Sequence, residues 1–467
     1  MDRREFLKVF GAGSVVTAAA LTGCDKIKED FAEEHDSGET VLGPIDGSKM
    51  TYRTSTSGDT VSLLGFGMMR LPTIYGGSAR NGDDPINQKR LNEMVDYAMA
   101  HGVNYYDTAP VYCKGQSEAA VGEALSHHDR SKFFVATKLS NFNPATWSRE
   151  ESLKMYHNSF KNLRVDYIDY YLLHSVGGSN EDMDSMTMLK SRYFDNGVLD
   201  FLVEERKAGR IRNLGFSFHG DIKVFDYMLS LHETIHWDFV QIQMNYIDWR
   251  HAEDLKEGNV NAETLYGKLE ALGIPVVIME PLLGGQLATL NENLNKELQS
   301  RRPQQSIASW AFRFAGTYGK VLTVLSGMTY MEHLQDNLRT YCPLEPCTDD
   351  ELQLLEHIAQ IYLTYPLVPC TACRYCMPCP YGLDIPGIFS HYNKMINTGN
   401  VAMAGDENYR QARRRFLIGY DRAVPGIRQA DHCIGCRECV GHCPQKIDIP
   451  YQMMVIDKYV EQLKIDN

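Results

Sequence analysis

Eight of the 12 cysteines in this chain of 467 residues lie in its last hundred residues, where they form two runs of four. The first run is Cys370, Cys373, Cys376 and Cys379, and the second run is Cys433, Cys436, Cys439 and Cys443. The second run has the spacing C-x2-C-x2-C-x3-C followed by proline, which is typical of thiolates that bind a [4Fe–4S] cluster. The first run has one residue fewer before its fourth cysteine, and a proline also follows it. The two runs therefore predict iron–sulfur chemistry.

The two runs belong to an internal repeat. Each precedes a similar phrase, Gly-Leu-Asp-Ile-Pro386 in the first and Lys-Ile-Asp-Ile-Pro450 in the second, which predicts two related half-units. In such runs three thiolates bind one cluster, and the proline redirects the chain so that the fourth reaches the neighbouring cluster. We therefore expect one [4Fe–4S] cluster on Cys370, Cys373, Cys376 and Cys443 and another on Cys433, Cys436, Cys439 and Cys379. Zinc, or disulfides formed in an oxidising compartment, are the alternatives.

Residues 346–467 resemble bacterial-type ferredoxins that carry two [4Fe–4S] clusters. The resemblance is carried by the two cysteine runs and covers only this part of the chain. It implies a helical extension followed by a small α+β ferredoxin-like domain, with clusters that exchange electrons with a partner protein.

A second set of chemically capable residues lies in the middle of the chain. Asp107 and Tyr112, Lys138, and His174 follow or end three successive predicted strands. Tyr112 can donate a proton if its pKa, ordinarily about 10, is lowered by an ammonium group. Lys138 can supply that charge and Asp107 can hold it, while His174 can orient a carbonyl oxygen. Each residue alone also has an ordinary structural explanation, but four on one face predict carbonyl or alcohol chemistry.

The elements that must position these residues alternate between strand and helix. Eight short apolar or β-branched runs predict strands at Val61–Gly67, Asn104–Ala109, Phe133–Leu139, Tyr167–His174, Ile211–Phe218, Phe239–Asn245, Pro275–Pro281 and Val321–Ser326. Amphipathic stretches between them predict helices at Gln88–His101, Ser117–Ser126, Glu150–Leu163, Leu199–Ala208, Ala262–Leu272 and Tyr330–Arg339. Eight such repeats predict an α/β fold of the (β/α)8 TIM-barrel type, whose chemistry lies after the strands. A doubly wound sheet is the alternative, but Gly65-Phe-Gly67 lacks the third glycine of its fingerprint. An extra hairpin over Thr51–Thr60 is expected before the barrel.

Residues 50–345 resemble the aldo/keto reductases, a (β/α)8 family that uses a nicotinamide cofactor. Asp107-Thr-Ala with Tyr112, Lys138 and His174 match the catalytic tetrad of that family in identity, order and strand position. The resemblance implies that Tyr112 is the general acid, that Lys138 and Asp107 tune it, and that His174 orients the carbonyl group.

The same resemblance implies a site for NAD(P). Ser217, within Gly215-Phe-Ser217, and Gln241 match residues that bind the nicotinamide carboxamide, and Asn337 matches one that contacts adenine. Four positions depart from the usual pattern of the family, namely Phe218, Met279, Gly327 and His333. Met279 stands where an aromatic ring usually stacks on the nicotinamide, and His333 replaces an arginine that commonly clamps a 2′-phosphate. Weak nucleotide binding, or no preference between NADP and NAD, is therefore expected.

The amino-terminal residues predict an export signal. Arg3-Arg4 followed by Phe6-Leu7-Lys8 resembles a twin-arginine signal, and the apolar stretch that ends near Thr22 is too short to span a membrane. Leu-Thr-Gly-Cys24 resembles a lipobox, in which the cysteine is lipidated after cleavage. We therefore expect a signal over residues 1–24, a membrane anchor at Cys24, an acidic tether over residues 25–49, and a periplasmic or membrane-anchored lipoprotein. The alternative is an apolar start that arose by chance.

The net charge of −13 argues against a dedicated nucleic-acid-binding protein. Two functions fit the remaining observations. The first is an exported oxidoreductase that acts on a small carbonyl or alcohol substrate, with two [4Fe–4S] clusters for electron transfer. The second is an exported electron-transfer or cofactor-binding module with a catalytically silent barrel and structural clusters. The four matching polar residues favour the first, although a hydride carries two electrons and each cluster takes one.

Overall fold

The computed structural model describes residues 43–79, 84–180, 183–255 and 258–465. The expected signal over residues 1–24, the expected lipidation site at Cys24 and the expected tether up to residue 42 lie outside the described residues. Among the helices of the described residues, none is long and apolar enough to cross a membrane.

Eight parallel strands close into a barrel, which confirms the predicted (β/α)8 architecture. They are β3 (Leu64–Gly67), β4 (Tyr105–Asp107), β5 (Phe134–Leu139), β6 (Ile168–Val176), β7 (Ile211–Phe218), β8 (Phe239–Gln243), β9 (Val276–Met279) and β10 (Val321–Ser326). Each strand pairs with the next along the chain, and β10 pairs with β3 to close the barrel. Because all strands run in the same direction, their carboxyl ends meet around one opening.

A two-stranded hairpin, β1 (Tyr52–Thr54) and β2 (Thr60–Ser62), precedes the barrel. The predicted first strand Val61–Gly67 is therefore divided, because Val61 pairs within the hairpin and only Leu64–Gly67 enters the barrel. Ser62 explains the division, since its hydroxyl donates to the Leu64 carbonyl oxygen at 2.8 Å and turns the chain between the two strands. The hairpin loop reaches the barrel interior, where Tyr170 donates to Asp59 Oδ2 at 2.9 Å.

Helices surround the barrel and pack their apolar faces on the strands. In chain order they are α1 (Gln88–Ala100), α2 (Ser117–Leu125), α3 (Arg149–Leu163), α4 (Ser185–Tyr193), α5 (Val198–Lys207), α6 (Ile222–Ser230), α7 (His232–Ile235), α8 (Asp248–Leu255), α9 (Ala262–Ala271), α10 (Glu292–Arg301), α11 (Ile307–Thr317) and α12 (Met331–Tyr341). The buried positions of α1 are Leu91, Met94, Val95 and Ala98, the spacing of one helical face. Inside the barrel, Tyr170 packs edge-on against Tyr105 and Phe239, with ring centroids 5.0 and 5.1 Å apart.

The carboxyl-terminal region contains α13 (Asp349–Tyr362), α14 (Ile385–Asn397), α15 (Tyr409–Ala423) and α16 (Ile449–Ile465). The described residues from 346 to 465 contain no β-strand, so the expected small α+β domain is helical here. The physical reason is visible in α14, where Ile385, Ile388, Phe389 and Tyr392 follow helical spacing and enter a separate apolar core. α14 and α16 begin at the Ile-Pro of the two repeated phrases, so each cysteine run leads into a helix.

Candidate active site and cluster-binding loops

The structure brings the four predicted catalytic residues together at the carboxyl ends of three adjacent strands. Asp107 ends β4, Lys138 lies near the end of β5, and His174 lies near the end of β6. Tyr112 begins a short 3-10 turn directly after β4. All four side chains are buried. This is the end of a (β/α)8 barrel at which catalytic groups are found.

Lys138 and Asp107 form a buried ion pair beneath Tyr112. Lys138 Nζ donates to Asp107 Oδ1 at 2.5 Å and to the Thr108 carbonyl oxygen at 2.8 Å. The same Nζ lies 4.8 Å from the centroid of the Tyr112 ring. Burial lowers the pKa of Lys138 below its ordinary value, and the Asp107 carboxylate opposes that shift. The ammonium is therefore held as a charge directly under the phenol ring, where it stabilises a phenolate.

His174 is a buried, neutral imidazole. Burial, and then the positive charges of Lys138 and Arg192, hold its pKa well below 6.5. Its Nδ1 shares a hydrogen bond of 2.6 Å with Ser140 Oγ, which fixes the ring orientation. The ring packs edge-on to Tyr112 at 5.9 Å between centroids and lies 4.8 Å from the ring of Phe142. A neutral ring fixed in this way can hydrogen-bond a substrate oxygen without carrying a charge.

Sequence reasoning missed three residues that complete this site. Ser140 could have been found, because it lies two residues after Lys138 and successive alternate residues of a strand face the same side. Arg192, at the end of α4, donates to the His174 carbonyl oxygen at 2.6 Å, and its guanidinium carbon lies 5.2 Å from the centroid of the Phe142 ring. Neither Arg192 nor Phe142 carries a sequence signal, since both belong to the connections between strands.

Two of the three predicted nucleotide-binding residues lie side by side. Ser217 and Gln241 are register partners at the ends of β7 and β8. Gln241 Oε1 is buried and has no hydrogen-bond partner among the described residues, so it remains able to accept a bond from a carboxamide. Ser217 Oγ accepts a bond from Ser175 N at 2.7 Å. Asn337 is different, because it is buried in α12 and its amide donates to Ser326 Oγ at 2.8 Å. The nicotinamide end of the predicted site therefore fits its ligand, while the adenine contact of Asn337 stays a prediction.

The eight clustered cysteines surround two cavities. One cavity is lined by Cys370, Cys373, Cys376 and Cys443, here called the first quartet. The other cavity is lined by Cys379, Cys433, Cys436 and Cys439, the second quartet. Each quartet takes three cysteines from one run and the fourth from the other, the crossed arrangement expected from the sequence. Among the described residues, no three His, Cys, Asp or Glu side chains meet around a single ion position. Two cavities that are each lined by four thiols have the donor set of an iron–sulfur group.

Burial disfavours the thiolate form of one cysteine in each quartet, Cys443 in the first and Cys439 in the second, when no group is bound. It raises the pKa of Cys443 to about 11, and it raises the pKa of Cys439 to about 11. Binding of iron requires thiolates, so cluster insertion releases protons. Among the described residues, the cysteines outside the quartets are Cys113, Cys342 and Cys347. Burial raises the pKa of Cys342 and Cys347 to about 11, which favours a packing role over reactivity at those two positions.

The cysteine loops, residues 370–384 and 433–448, lie on the catalytic end of the barrel. Side chains at or after the carboxyl ends of four different barrel strands contact them. The contacts pair Arg70 with Thr371, Phe142 with Tyr375, Gln243 with Gln445, and Gln286 with Cys370. Tyr375 lies between Cys373 and Cys376, and its ring centroid is 5.9 Å from that of Phe142. The first quartet is thus separated from His174 by two aromatic rings.

Comparison with known proteins agrees with both halves of the molecule. Residues 63–360 match the model of the aldo/keto reductase family, and residues 369–447 match that of a 4Fe-4S dicluster domain. L-galactose dehydrogenase of Arabidopsis thaliana is 24% identical over 319 residues, which cover 64% of this chain and 90% of that protein. Protein tas of Escherichia coli is 26% identical over 364 residues, which cover 68% of this chain and 99% of that protein. A solved aldo-keto reductase from Klebsiella pneumoniae, in complex with NADPH, is 17% identical and covers 66% of this chain and 96% of its own, with a TM-score of 0.51. That structural likeness shows the fold.

The crossed quartets predict how single cysteine substitutions divide the iron content. Holoprotein purified without oxygen is expected to contain about eight irons per chain. Cys443 lies in the second run but belongs to the first quartet. Cys443→Ser should therefore remove the cluster held by the first quartet, which Tyr375 borders, and leave the cluster held by the second quartet. Cys436→Ser is the matched control and should remove the other cluster. Iron and sulfide analysis with electron paramagnetic resonance measures both. Indistinguishable residual spectra in the two variants would contradict the crossed assignment.

The buried charges predict the pH profile of carbonyl reduction. The pKa of His174 lies well below 6.5, so the imidazole is neutral at that pH and the profile should show no acid limb there. The pKa of Lys138 is lowered from 10.5, so the ammonium loses its proton, and the rate falls, at a lower pH than for an ordinary lysine. The measurement is kcat/KM against pH at saturating nucleotide. An acid limb near pH 6.5 that His174→Gln abolishes would show that the imidazole is charged.

Proposed function

Since this chain belongs to the aldo/keto reductase family, we propose that it is an exported oxidoreductase that interconverts a carbonyl compound and its alcohol. In this proposal Tyr112 exchanges the proton, and two [4Fe–4S] clusters exchange electrons with a partner protein. The observation that carries the proposal is the buried Lys138–Asp107 pair directly beneath the Tyr112 ring, beside a neutral His174. A buried ion pair often adds no stability over apolar residues of similar size. Its position beneath the phenol ring therefore favours a chemical role.

The proposed reduction begins with a substrate carbonyl oxygen between Tyr112 and His174. The imidazole donates a hydrogen bond to that oxygen and fixes its position, while Ser140 holds the imidazole and Arg192 holds the backbone of His174. The Tyr112 hydroxyl then gives its proton to the oxygen as negative charge develops there. The phenolate that remains is stabilised by Lys138 Nζ, whose position Asp107 fixes. Oxidation of an alcohol runs through the same groups in reverse.

A bound nicotinamide would supply the hydride that forms the new carbon–hydrogen bond. Gln241 Oε1 is available to accept a bond from its carboxamide, and Ser217 stands beside Gln241 on the next strand. The NADPH complex of the Klebsiella pneumoniae relative supports the same type of ligand for this chain. Met279 lies beside Gln241, whose Nε2 approaches its sulfur at 3.4 Å. A thioether therefore faces the ring site in place of an aromatic ring.

The two cysteine quartets would hold the iron–sulfur clusters that pass electrons singly. The first quartet lies against the mouth of the barrel, whereas Cys436 of the second quartet is exposed. Ile434, beside that quartet, is 62% exposed. An electron carrier would therefore dock at the second quartet, and the first quartet would connect it with the barrel.

Tyr112→Phe tests the catalytic assignment directly. It should lower kcat for reduction of 4-nitrobenzaldehyde, followed by NADPH or NADH consumption, by about 10²–10⁴-fold, because it removes only the proton that is transferred. Tyr97→Phe is the matched control and should leave the rate unchanged, since Tyr97 in α1 stacks on His101. That residue follows α1 and precedes the amino-terminal end of β4, opposite to the end that carries the site. Iron content and melting temperature should be the same in both variants. Full activity of Tyr112→Phe would overturn the assignment of the proton donor.

The export proposal is tested in the native cell. The supporting sequence is Arg3-Arg4, the apolar stretch behind it, and Leu-Thr-Gly-Cys24. Replacement of Arg3 and Arg4 by lysine should retain the protein in the cytoplasm, and Cys24→Ala should abolish labelling with a radioactive fatty acid. Cell fractionation with immunoblotting measures the first effect. Unaltered membrane localisation and labelling in both variants would refute export by this route and the lipid anchor.

A further inference from the structure

We propose that Gln243 and Gln445, with Asp248 behind them, are positioning residues that set the reduction potential of the first cluster, the one held by the first quartet. The three side chains join strand β8 of the barrel to the second cysteine loop, residues 433–448, beside Cys443. This inference rests on the proposed function, because that function assigns a [4Fe–4S] cluster to each quartet. It adds that the barrel makes the two repeated half-units unequal.

The fourth cysteine of each run begins a turn of the same design. Cys443-Pro-Gln-Lys446 in the second run corresponds to Cys379-Pro-Tyr-Gly382 in the first run. Lys446 has a φ of +52° and Gly382 has a φ of +81°, so both chains enter the left-handed region at the same position. A difference between the two cluster sites therefore comes mainly from what surrounds the two turns.

Backbone N–H groups of the turn after Cys443 face its sulfur atom. Burial raises the pKa of Cys443, and the N–H groups of Ile447, Gln445 and Lys446 oppose that effect because they favour the thiolate. Successive N–H groups beside a left-handed residue form a concave anion site, and such sites are common around iron–sulfur groups. Hydrogen bonds to the sulfurs help to set the reduction potential of a cluster. They stabilise the reduced form, which has one more negative charge, and so raise the potential.

A pair of amides fixes the turn after Cys443 on the barrel. Gln445 Nε2 donates to Gln243 Oε1 at 2.9 Å, and Gln243 Nε2 donates to Gln445 Oε1 at 3.4 Å. Gln243 is the last residue of β8, so its position is fixed by the barrel. Gln445 is 5% exposed, whereas Tyr381, at the corresponding position of the other turn, is 47% exposed. The barrel therefore covers and bonds one turn, while the other turn faces solvent.

A buried carboxylate lies behind the amide pair. Asp248 Oδ2 accepts hydrogen bonds from Gln243 Nε2 at 2.7 Å and from Asn245 Nδ2 at 2.6 Å, which fixes the orientation of the Gln243 amide. Burial raises the pKa of Asp248 to about 6, and the Glu280 carboxylate adds to that effect, so Asp248 is ionised at pH 8. Among the described residues, the groups that act on this pKa include no cation. Its negative charge therefore disfavours the addition of an electron to the first cluster.

The amide pair and the carboxylate act on the first cluster in opposite directions. The amide pair holds N–H groups against the Cys443 sulfur and raises the reduction potential, whereas the charge of Asp248 lowers it. A general loosening of the cysteine loop would not give opposite shifts for substitutions at neighbouring side chains. The signs of the two shifts therefore separate a positioning role from a merely structural one.

Four substitutions test these effects one at a time. Gln445→Met and Gln243→Met keep the length of the side chain and remove its amide, while Asp248→Asn removes the charge and keeps an accepting oxygen. Tyr381→Met is the matched control, because it alters the corresponding turn of the other repeat. If Asp248→Asn fails to fold, the two glutamine variants still test the amide pair. Iron content and melting temperature report folding in each variant.

The experiment is a redox titration of each full-length holoprotein at pH 8 without oxygen, followed by electron paramagnetic resonance. The signal of the first cluster is the one that Cys443→Ser removes. Gln445→Met and Gln243→Met should each lower its equilibrium constant of reduction about tenfold, a downward shift of about 59 mV for one electron. Asp248→Asn should shift the same potential upward, and Tyr381→Met should leave it unchanged. The double glutamine variant should shift it no further than either single variant, because the two amides act as one unit.

Four outcomes would overturn the inference. An unchanged first-cluster potential in both glutamine variants, with full iron content, would refute the amide pair and leave the proposed function intact. Equal shifts of both clusters, additive shifts in the double variant, or the same shift in Tyr381→Met would show a general loosening of the loops. A downward shift in Asp248→Asn would refute the role of its charge. If wild-type protein binds no cluster, both the inference and the cluster part of the proposed function fail.

Discussion

The buried Lys138–Asp107 pair is the interaction on which the catalytic end of the molecule depends. Removing one partner of such a pair leaves an uncompensated charge and costs about 3–5 kcal/mol, so neither residue can vary alone. The pair is tolerable because β4 and β5 are neighbours in the barrel, which places the two groups 2.5 Å apart. Asp107 Oδ2 is buried and has no partner among the described residues. The pair is therefore incompletely satisfied, as expected of charges that are kept for chemistry.

The catalytic end of the barrel also depends on the position of the cysteine loops. A charge under a phenol ring is effective only when water is kept away from it, because water screens the interaction. In this chain the cysteine loops contribute to that exclusion, since they contact side chains at or after the carboxyl ends of four barrel strands. Tyr375 and Phe142 bring the iron–sulfur region within two rings of His174. The carboxyl-terminal region is thus a structural part of the active site as well as a separate cluster-binding unit.

The sequence predicted those parts of the structure that are marked by a periodic pattern of residues or by a fixed residue spacing. The eight strands follow from alternating apolar runs, and the placement of Lys138 and His174 follows from their positions at strand ends. The crossed quartets follow from the cysteine spacing. The contact of Gly284 with Thr371 could not be predicted, because it joins two regions distant in the chain through backbone packing that has no residue pattern. The division of the first strand was also missed, since the pairing of Val61 with Arg53 depends on the turn that Ser62 makes.

The crossed quartets constrain the order of assembly of the molecule. Each quartet takes cysteines from both runs, so residues 370–384 and 433–448 must come together before either cluster can be held. Iron, sulfide and nicotinamide nucleotides are all available in the cytoplasm, and a chain exported unfolded would have to acquire each of them outside. Export in a folded state, as the Arg3-Arg4 sequence predicts, meets this constraint, because clusters held by both cysteine loops would then be carried out in place.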